Sequence, residues 1–168
     1  MKKEGTPSLE TRIRYIEDML AIYQLISAYG PAVDSGSLKE AAELWTEDGV
    51  YDIPGIGTFL GRTGIVEMLE GPLHQSLIHG GSAHILSQPH VTISGDKAVA
   101  THYGRVYTPK ENSFGLFRVI ATRWELVRTE NDWKCERRIN CLLDGRAESR
   151  ALLAQGIAES FATADKPA

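Results

Sequence analysis

Two side chains in this sequence, Asp34 and His84, could together move a proton. In "ISAYGPAVDSGS" an apolar helical pattern runs through Gly30-Pro31 and reaches Asp34. At about 100° per residue, Asp34 is in helical phase with Ile16 and Tyr23, which belong to the apolar, inward stripe. An ionised carboxylate that faces the interior is costly unless a partner pairs with it. Asp34 is therefore either a buried acid with a catalytic partner or an acceptor that caps the next helix, "SGSLKE".

His84 is the candidate partner, because it stands at the start of the strand-like segment "AHILSQP". Alternation along a strand groups His84 with Leu86 and Gln88 on one face, and it leaves open which face is inward. An imidazole held by a buried carboxylate has a fixed tautomer and a stabilised charged form. Such a His can take a proton from a carbon next to an activating group, or help to expel a leaving group. The alternative is a structural or exposed histidine.

Three further side chains could contact a substrate. Tyr29 and Tyr51 could donate hydrogen bonds to a substrate oxygen, or they could be core aromatics whose hydroxyls bind backbone acceptors. Arg138 could bind an oxyanion or a halide leaving group, or it could be a surface residue next to Arg137.

A metal site is not predicted. His74, His79 and His84 recur every five residues, whereas helical ligand pairs usually lie four apart, and no Glu or Cys completes a set. The sequence therefore predicts neither a metal nor another cofactor.

Composition limits the classes of partner. The chain of 168 residues is 42% hydrophobic and 24% charged, which predicts a globular domain with room for a pocket. A formal net charge of −4 argues against nucleic acid. No apolar run approaches the roughly 20 residues that cross a bilayer, and we expect no membrane partner and no secretory signal. Cys135 and Cys141 fall in one predicted strand, roughly 20 Å apart, so free thiols and a cytoplasmic location are expected.

The elements that must position these side chains follow from apolar periodicity. A long helix is predicted from Leu9 to about Val33, with Ser8 as its N-cap. A short second helix is predicted in "SLKEAAELW", and a third in "RTGIVEMLEGPL" ends at Gly71-Pro72. Between them, "EDGVYDI" and "IGTFLG" are predicted to be two short strands.

The second half of the chain is predicted to be mostly strand. "AHILSQPHVTI" and "KAVATHYGRVY" flank the turn "SGD", and "FGLFRVIATRWELVRT" and "WKCERRINCLL" flank "END". The predicted class is α+β: a cone-like, curved antiparallel sheet, with the long N-terminal helix and two shorter helices packed on its concave face. Residues 1–8 are predicted to be a flexible leader, 9–145 a single domain and 146–168 a helical tail.

The sequence resembles the nuclear transport factor 2-like superfamily, in its SnoaL-like and scytalone dehydratase branch, over about residues 9–145. The resemblance lies in "IEDMLAIYQLISAYGPAVDSGSLKEAAELWTEDGVYD", "GTFLGRTGIVEML", "SAHILSQPHVTISGDKAVATHYGRV" and "TRWELVRTENDWKCERRIN". The hairpin "IPGIGTFLG" is also similar to hexachlorocyclohexane dehydrochlorinase.

The resemblance implies roles for particular residues. In that branch the first helix ends in an Asp and the strand after the third helix carries a His, so Asp34 and His84 match a general-base dyad. Arg138, after Trp133-Lys134, matches an Arg of the dehydrochlorinase. His102 is the histidine nearest to the place of a second pocket His in scytalone dehydratase, and we include it among the substrate-binding candidates.

The function implied is that of a cofactor-independent lyase of the dehydratase type, acting on a hydrophobic cyclic small molecule. An isomerase, hydrolase or cyclase with the same dyad is an alternative. The competing class is a non-catalytic binding or assembly module, such as the small subunit of ring-hydroxylating dioxygenases. Relatives are commonly trimers or dimers, and apolar residues on both sides of "FRVIATRWELV" also favour a homo-oligomer, with a trimer preferred to a dimer.

Overall fold

The computed structural model describes residues 7–164, with the backbone alone for residues 159–164. The helices in this part of the chain are α1 (Leu9–Asp34), α2 (Leu38–Ala42), α3 (Gly61–Leu69), α4 (Pro72–Gly80) and α5 (Ala147–Ala164). The strands in the same part are β1 (Trp45–Ile53), β2 (Gly57–Leu60), β3 (Ala83–Leu86), β4 (His90–Ser94), β5 (Lys97–Lys110), β6 (Ser113–Arg128) and β7 (Trp133–Leu142).

These strands form one sheet in the order β2-β1-β7-β6-β5-β3, and β4 pairs with another part of β5. β5 and β6 are antiparallel and pair from Lys97 opposite Val127 to Lys110 opposite Ser113. Across the middle of the sheet, Arg138 of β7 lies beside Tyr51 of β1 and opposite Trp124 of β6. Three long side chains from three strands therefore meet side by side.

The predicted α+β fold is confirmed, with a long N-terminal helix and shorter helices on a curved sheet. The β1–β7 pair is an exception to the antiparallel pattern, because these two strands run parallel. The helix α4 was not predicted, since Gly71-Pro72 was interpreted only as a helix end. Pro72 instead starts α4, where its missing N–H is not needed.

The predicted apolar stripe of α1 is only half right. In the second half of the helix the stripe is buried, at Ile22, Leu25, Ile26, Tyr29 and Val33. In the first half the apolar residues are exposed, and Ile16 is 56% exposed, so its placement on the inward stripe was wrong. The same periodicity runs along the whole helix, so period alone cannot tell which turns of α1 meet the sheet.

The two faces of the sheet are covered by different parts of the chain. One face carries the main core with α1, and Trp45 and Trp124 are fully buried there. On the other face Leu152 of α5 packs against Ala121 and Cys141. The C-terminal helical segment is thus packed on the sheet.

Three sequence expectations concern the chain ends and the thiols. Residues 1–6 of the predicted leader lie outside the described residues. Within the part of the chain that the structure describes, no helix has the length and apolar character needed to cross a membrane. Cys135 and Cys141 are free and buried, and burial raises the pKa of both thiols. Both are therefore packing residues.

Candidate active site

Asp34 and His84 are in direct contact where the end of α1 meets the start of β3. His84 Nδ1 lies 2.6 Å from Asp34 Oδ1, and the His84 backbone N–H donates to Oδ2 at 2.7 Å. The Ser82 hydroxyl donates a further bond to Oδ1 at 2.7 Å. An ionised carboxylate can only accept, so Nδ1 must carry the hydrogen, and in the neutral ring Nε2 then keeps its lone pair.

The surroundings of Asp34 keep it ionised. Burial on its own would raise the pKa of Asp34, but hydrogen bonds from the side chain and backbone of His84 and from Ser82 outweigh it and lower that pKa. Both carboxylate oxygens are engaged on the β3 side, and Ser37, at the start of α2, makes no side-chain capping bond. The helix-capping interpretation of Asp34 therefore does not hold.

The contact with Asp34 leaves the second ring nitrogen of His84 without a partner among residues 7–164. Nε2 is buried and has no hydrogen-bond partner within the described residues. The imidazole stands perpendicular to the ring of Tyr29, with the two ring centres 6.3 Å apart. One nitrogen of His84 is thus fixed by Asp34, while the other can accept a proton.

Gly30 allows α1 to approach β3 closely enough for this contact. A Cβ on Gly30 would lie 2.3 Å from the backbone carbonyl oxygen of His84, which is far inside van der Waals contact. Pro31 follows within the helix and does not end it, because the Ser35 N–H still bonds to the Pro31 carbonyl at 3.0 Å. The Gly30-Pro31 pair thus brings the helix backbone against the strand that carries His84.

Arg138 lies in a cage of aromatic rings and is 1% exposed. Its guanidinium carbon is 3.7 Å from the ring centre of Tyr29, 4.3 Å from that of Trp124 and 4.9 Å from that of Tyr51. Cation–π attraction offsets part of the cost of burying this charge. Its Nε and Nη1 have no hydrogen-bond partner in the described chain. The surface interpretation of Arg138 was wrong, and the residue is a buried cation with donors to spare.

Tyr51 is held as a hydrogen-bond donor by its neighbours. The Thr122 hydroxyl donates to Asn140 Oδ1 at 2.9 Å, and Asn140 Nδ2 donates to the Tyr51 oxygen at 2.6 Å. Because the Tyr51 hydroxyl accepts from Asn140, it can donate its own hydrogen to another acceptor, and the side chain of Tyr29 is within hydrogen-bonding reach. Burial raises the pKa of Tyr51, so the phenol keeps that hydrogen.

His102 is placed to support the cage and does not contact the dyad. Its Nε2 accepts a hydrogen bond from the Trp124 indole at 2.8 Å, and its Nδ1 is 3.1 Å from the Tyr103 carbonyl oxygen. Burial lowers the pKa of His102 to about 4, so the ring is neutral at pH 7. With both nitrogens engaged, His102 positions Trp124 in this structure.

A cavity of about 380 Å³ lies beside the cage. Tyr51 and His74 are part of its lining, whereas neither Asp34 nor His84 lines it. Burial lowers the pKa of His74, electrostatic interactions with Arg118, His84 and Arg138 act in the same direction, and the resulting pKa is about 4. His74 therefore lies among the dyad, the cage and the cavity, which makes the three features neighbours.

The three histidines of the five-residue repeat do not come together. His84 is bound to Asp34, His74 lies at the cavity, and His79 is exposed and bonded to the Gln75 carbonyl. Among residues 7–164 no cluster of three or more His, Cys, Asp or Glu side chains is placed to hold a metal ion.

Two residues of this region, Arg118 and Asn140, were missed in the sequence, and a third, His74, was considered only as a metal ligand. Asn140 follows Arg138 by two positions on one strand, and Arg118 shares the inward face of β6 with Trp124. Strand alternation places Asn140 on the same face as Arg138 and Arg118 on the same face as Trp124. This could not be used at the level of sequence, because the sequence does not show which face of the sheet is inward.

Comparison with known proteins gives a family match over most of the chain. The profile of the SnoaL-like domain family matches residues 14–139. No protein of curated function matches the chain.

Solved structures give the same result. An NTF2-like protein with a cystatin-like fold from Novosphingobium aromaticivorans is 41% identical, with a TM-score of 0.85, and the match covers 89% of this chain and 99% of that chain. A candidate aromatic ring hydroxylase from the same organism is 31% identical, with a TM-score of 0.59, over 76% of this chain and 90% of that one. A Mycobacterium tuberculosis protein of unknown function is 16% identical with a TM-score of 0.69, over 94% and 95% of the two chains, which shows the fold alone.

Proposed function

This chain belongs to the SnoaL-like domain family, and from that premise we propose that it is a cofactor-independent lyase of the dehydratase type acting on a hydrophobic cyclic small molecule. The family's roles with small molecules are varied and include both catalysis and binding, so family membership does not decide between them and the proposal rests on the geometry of the site. The observation that carries it is the Asp34–His84 contact, in which one imidazole nitrogen is fixed and the other is unpartnered.

His84 is the general base of the proposed reaction. Nε2 removes a proton from a carbon next to an activating group, and Asp34 stabilises the imidazolium that forms. The electron pair of the broken C–H bond forms a C=C bond, and the leaving group departs with the electrons of its own bond. For loss of water, the proton can return from His84 to the departing hydroxyl, so that atoms and charge balance.

Arg138 and Tyr51 stabilise the charge that develops. The buried guanidinium of Arg138 favours an oxyanion or an anionic leaving group, since charge–charge attraction is strong away from water. Tyr51 supplies a neutral O–H donor that Asn140 holds in orientation. Tyr29 forms the cage wall between Arg138 and His84, and we retain it as a substrate-contacting residue. An isomerase or a cyclase would use the same first proton transfer, and in a hydrolase the same base would take the proton from an attacking water molecule.

A non-catalytic binding module is the second candidate, and one observation favours it. Neither Asp34 nor His84 lines the cavity. If a ligand occupied the cavity without reaching Nε2, the dyad would only join α1 to β3.

The first test measures proton abstraction directly. The protein is incubated in D2O with a panel of hydroxylated and halogenated cyclic ketones, and NMR follows both deuterium exchange next to the carbonyl and loss of the leaving group. For a substrate so found, His84→Ala is expected to lower kcat/KM by about 10²–10⁴-fold, as general bases commonly contribute. Asp34→Asn should keep the fold and disturb the imidazole tautomer. The exposed His79 gives a matched control, His79→Ala, which should change nothing.

A loss of less than about tenfold on His84→Ala corresponds to only about 1.4 kcal/mol of transition-state stabilisation. That result would make the dyad structural and would favour the binding module.

The setting of the protein is part of the proposal. Two buried, unpaired thiols support a cytoplasmic location, where thiols stay reduced. The proposed reaction needs no cofactor, because the base, the donor and the cation are all side chains of this chain.

A further inference from the structure

We propose that the cavity beside the dyad binds an organic acid, with the apolar ring of the ligand on the cavity's apolar wall and its carboxylate paired with Arg118. This inference rests on the proposed function and deepens it, because it names the substrate class of the same site.

Arg118 is a cation without a counter-charge. It lies on the inward face of β6 and lines the cavity, and its buried Nε has no hydrogen-bond partner among the described residues. The ion pairs formed within those residues do not include Arg118. Its guanidinium carbon stands 5.5 Å from the ring centre of Phe117. Arg118 is half-buried, so its charge is partly withdrawn from water and an anion in the cavity would stabilise it.

Other arginines of the described chain show what a satisfied guanidinium looks like here. Arg128 pairs with Asp18 and Asp96, and Arg137 pairs with Asp52 at 2.7 Å. At the cavity the balance is different, because its lining includes Arg118 and Arg146 but no carboxylate. Arg146 already pairs with Asp144 at 2.8 Å. Among the described residues, Arg118 is therefore the cavity cation that has no carboxylate partner.

The chemistry of the remaining lining suits a ring rather than a small ion. Apolar side chains make up much of the wall: Ile53, Ile56, Phe117, Ile120 and Leu142. A volume of about 380 Å³ is within the range of roughly 300–1,000 Å³ that is usual for small-molecule pockets. His74 is buried and neutral at this wall, so it adds no charge of its own.

In this proposal Arg118 and Arg138 have different roles. Arg118 and Arg138 both act electrostatically on His74 and on Tyr51, so they flank the same short stretch of the site. Arg138 lies in the cage behind Tyr51, where charge develops in the reaction. Arg118 lines the cavity, where it can pair with the carboxylate of the ligand, whose charge does not change in the reaction. An acid anchored at Arg118 thus places its ring toward Tyr51 and the dyad.

Calorimetric titration with a pair of probes tests this assignment. The probes are 2-naphthoate and its neutral analogue 2-naphthamide, which differ in charge and hardly in shape. We expect the wild-type protein to bind 2-naphthoate at least about tenfold more tightly, because a hydrogen bond to a charged partner commonly contributes that much. Raising the salt from 20 mM to 0.5 M should weaken naphthoate binding and leave naphthamide binding unchanged.

Variants assign the effect to Arg118. Arg118→Met should remove the preference for naphthoate and leave naphthamide affinity within about twofold, and Arg118→Lys should keep part of the preference. The exposed Arg105 provides the control Arg105→Met, which should alter neither affinity.

Several results would overturn the inference: equal affinity of the wild-type protein for the two probes, no binding of either, or an equal loss of both on Arg118→Met. Circular dichroism of each variant shows whether it is folded, and the salt dependence of the wild-type protein decides the matter if Arg118→Met does not fold. Because the probes are not turned over, failure here is distinct from failure of the dyad, which is measured by proton exchange with His84→Ala.

Discussion

Two buried neutral histidines, His74 and His102, make the core sensitive to acid. Burial lowers the pKa of each to about 4, whereas an unfolded histidine titrates near 6.5. Between those values the unfolded chain binds protons that the folded chain does not. The free energy of unfolding therefore falls as the pH drops from about 6.5 to about 4, and each histidine contributes to that fall.

Replacing one of these histidines should flatten the pH dependence. His102→Gln keeps an acceptor for the Trp124 indole and removes the titrating ring. From urea unfolding at pH 7.5 and pH 4.5, we expect the loss of stability between the two pH values to be roughly 2 kcal/mol smaller in the variant. The difference between pH values is the readout, because the substitution also changes packing at both. If His102→Gln keeps the full wild-type difference, or exposed His79→Gln reduces it equally, the explanation fails.

At the scale of residues, the sequence predicted the dyad better than its surroundings. Helical phase indicated that Asp34 faces inward, and the family resemblance selected both Asp34 and His84. The environment of Arg138 could not be predicted, since the rings of its cage come from α1 and from two strands other than its own. Neighbours in sequence, such as the exposed Arg137, suggested the wrong environment for Arg138. Burial of a long charged side chain is a property of the assembled sheet.

At the scale of elements, the dyad depends on how closely α1 approaches β3. Glycine to alanine in a helix normally stabilises by up to about 1 kcal/mol, and Gly64→Ala in α3 should do so, because its Cβ would meet its nearest neighbour at 3.8 Å. Gly30→Ala should do the opposite. Its Cβ would force the helix away from the His84 carbonyl, and overpacking of this kind typically costs about 1–3 kcal/mol.

The readouts for Gly30→Ala are the free energy of unfolding and the rate of proton exchange with substrate. Both should fall in this variant, whereas Gly64→Ala should raise the free energy of unfolding slightly and leave the exchange rate unchanged. A Gly30→Ala protein with unchanged stability and unchanged turnover would mean that the dyad tolerates a displaced helix.

The elements themselves were predictable wherever the signal is local. Ser8 caps α1 as expected, its Oγ accepting from the Thr11 N–H at 3.1 Å. The β4–β5 and β6–β7 hairpins and the α+β class also follow from local turn and periodicity signals. The parallel β1–β7 pair does not, because no turn joins the two strands. Gly71-Pro72 does not by itself predict whether a new helix follows, since the same dipeptide can end one helix and begin the next.

At the scale of the whole molecule, α5 covers part of the sheet face that was expected to form a subunit interface. The outer face of "FRVIATRWELV" was expected to need a partner subunit, but Leu152 of α5 covers Ala121 on that face. Another apolar surface supports the homo-oligomer that we still propose. It is the exposed stripe on the first half of α1, formed by Leu9, Ile13, Ile16 and Leu20, each at least 46% exposed.

Light scattering at micromolar concentration should therefore report a trimer, or else a dimer. The double variant Ile16→Glu and Leu20→Glu should shift the mass toward the monomer with little change in Tm, because these side chains contribute little to the core of one chain. Leu73→Glu, at another exposed position, is the control and should leave the mass unchanged. A monomeric wild-type protein would contradict the proposal, and an oligomeric double variant would place the interface elsewhere.

The parallel pairing of β1 with β7 has a consequence for biosynthesis. Tyr51 and Arg138 lie side by side although more than half of the chain separates them. Contacts of such long range are expected to form slowly, since the intervening segment must lose entropy before the contact is gained. A nascent chain that has emerged only as far as β5 has both tyrosines of the cage but no arginine between them. Ligand recognition should therefore arise only after the last strand has left the ribosome and inserted beside the first.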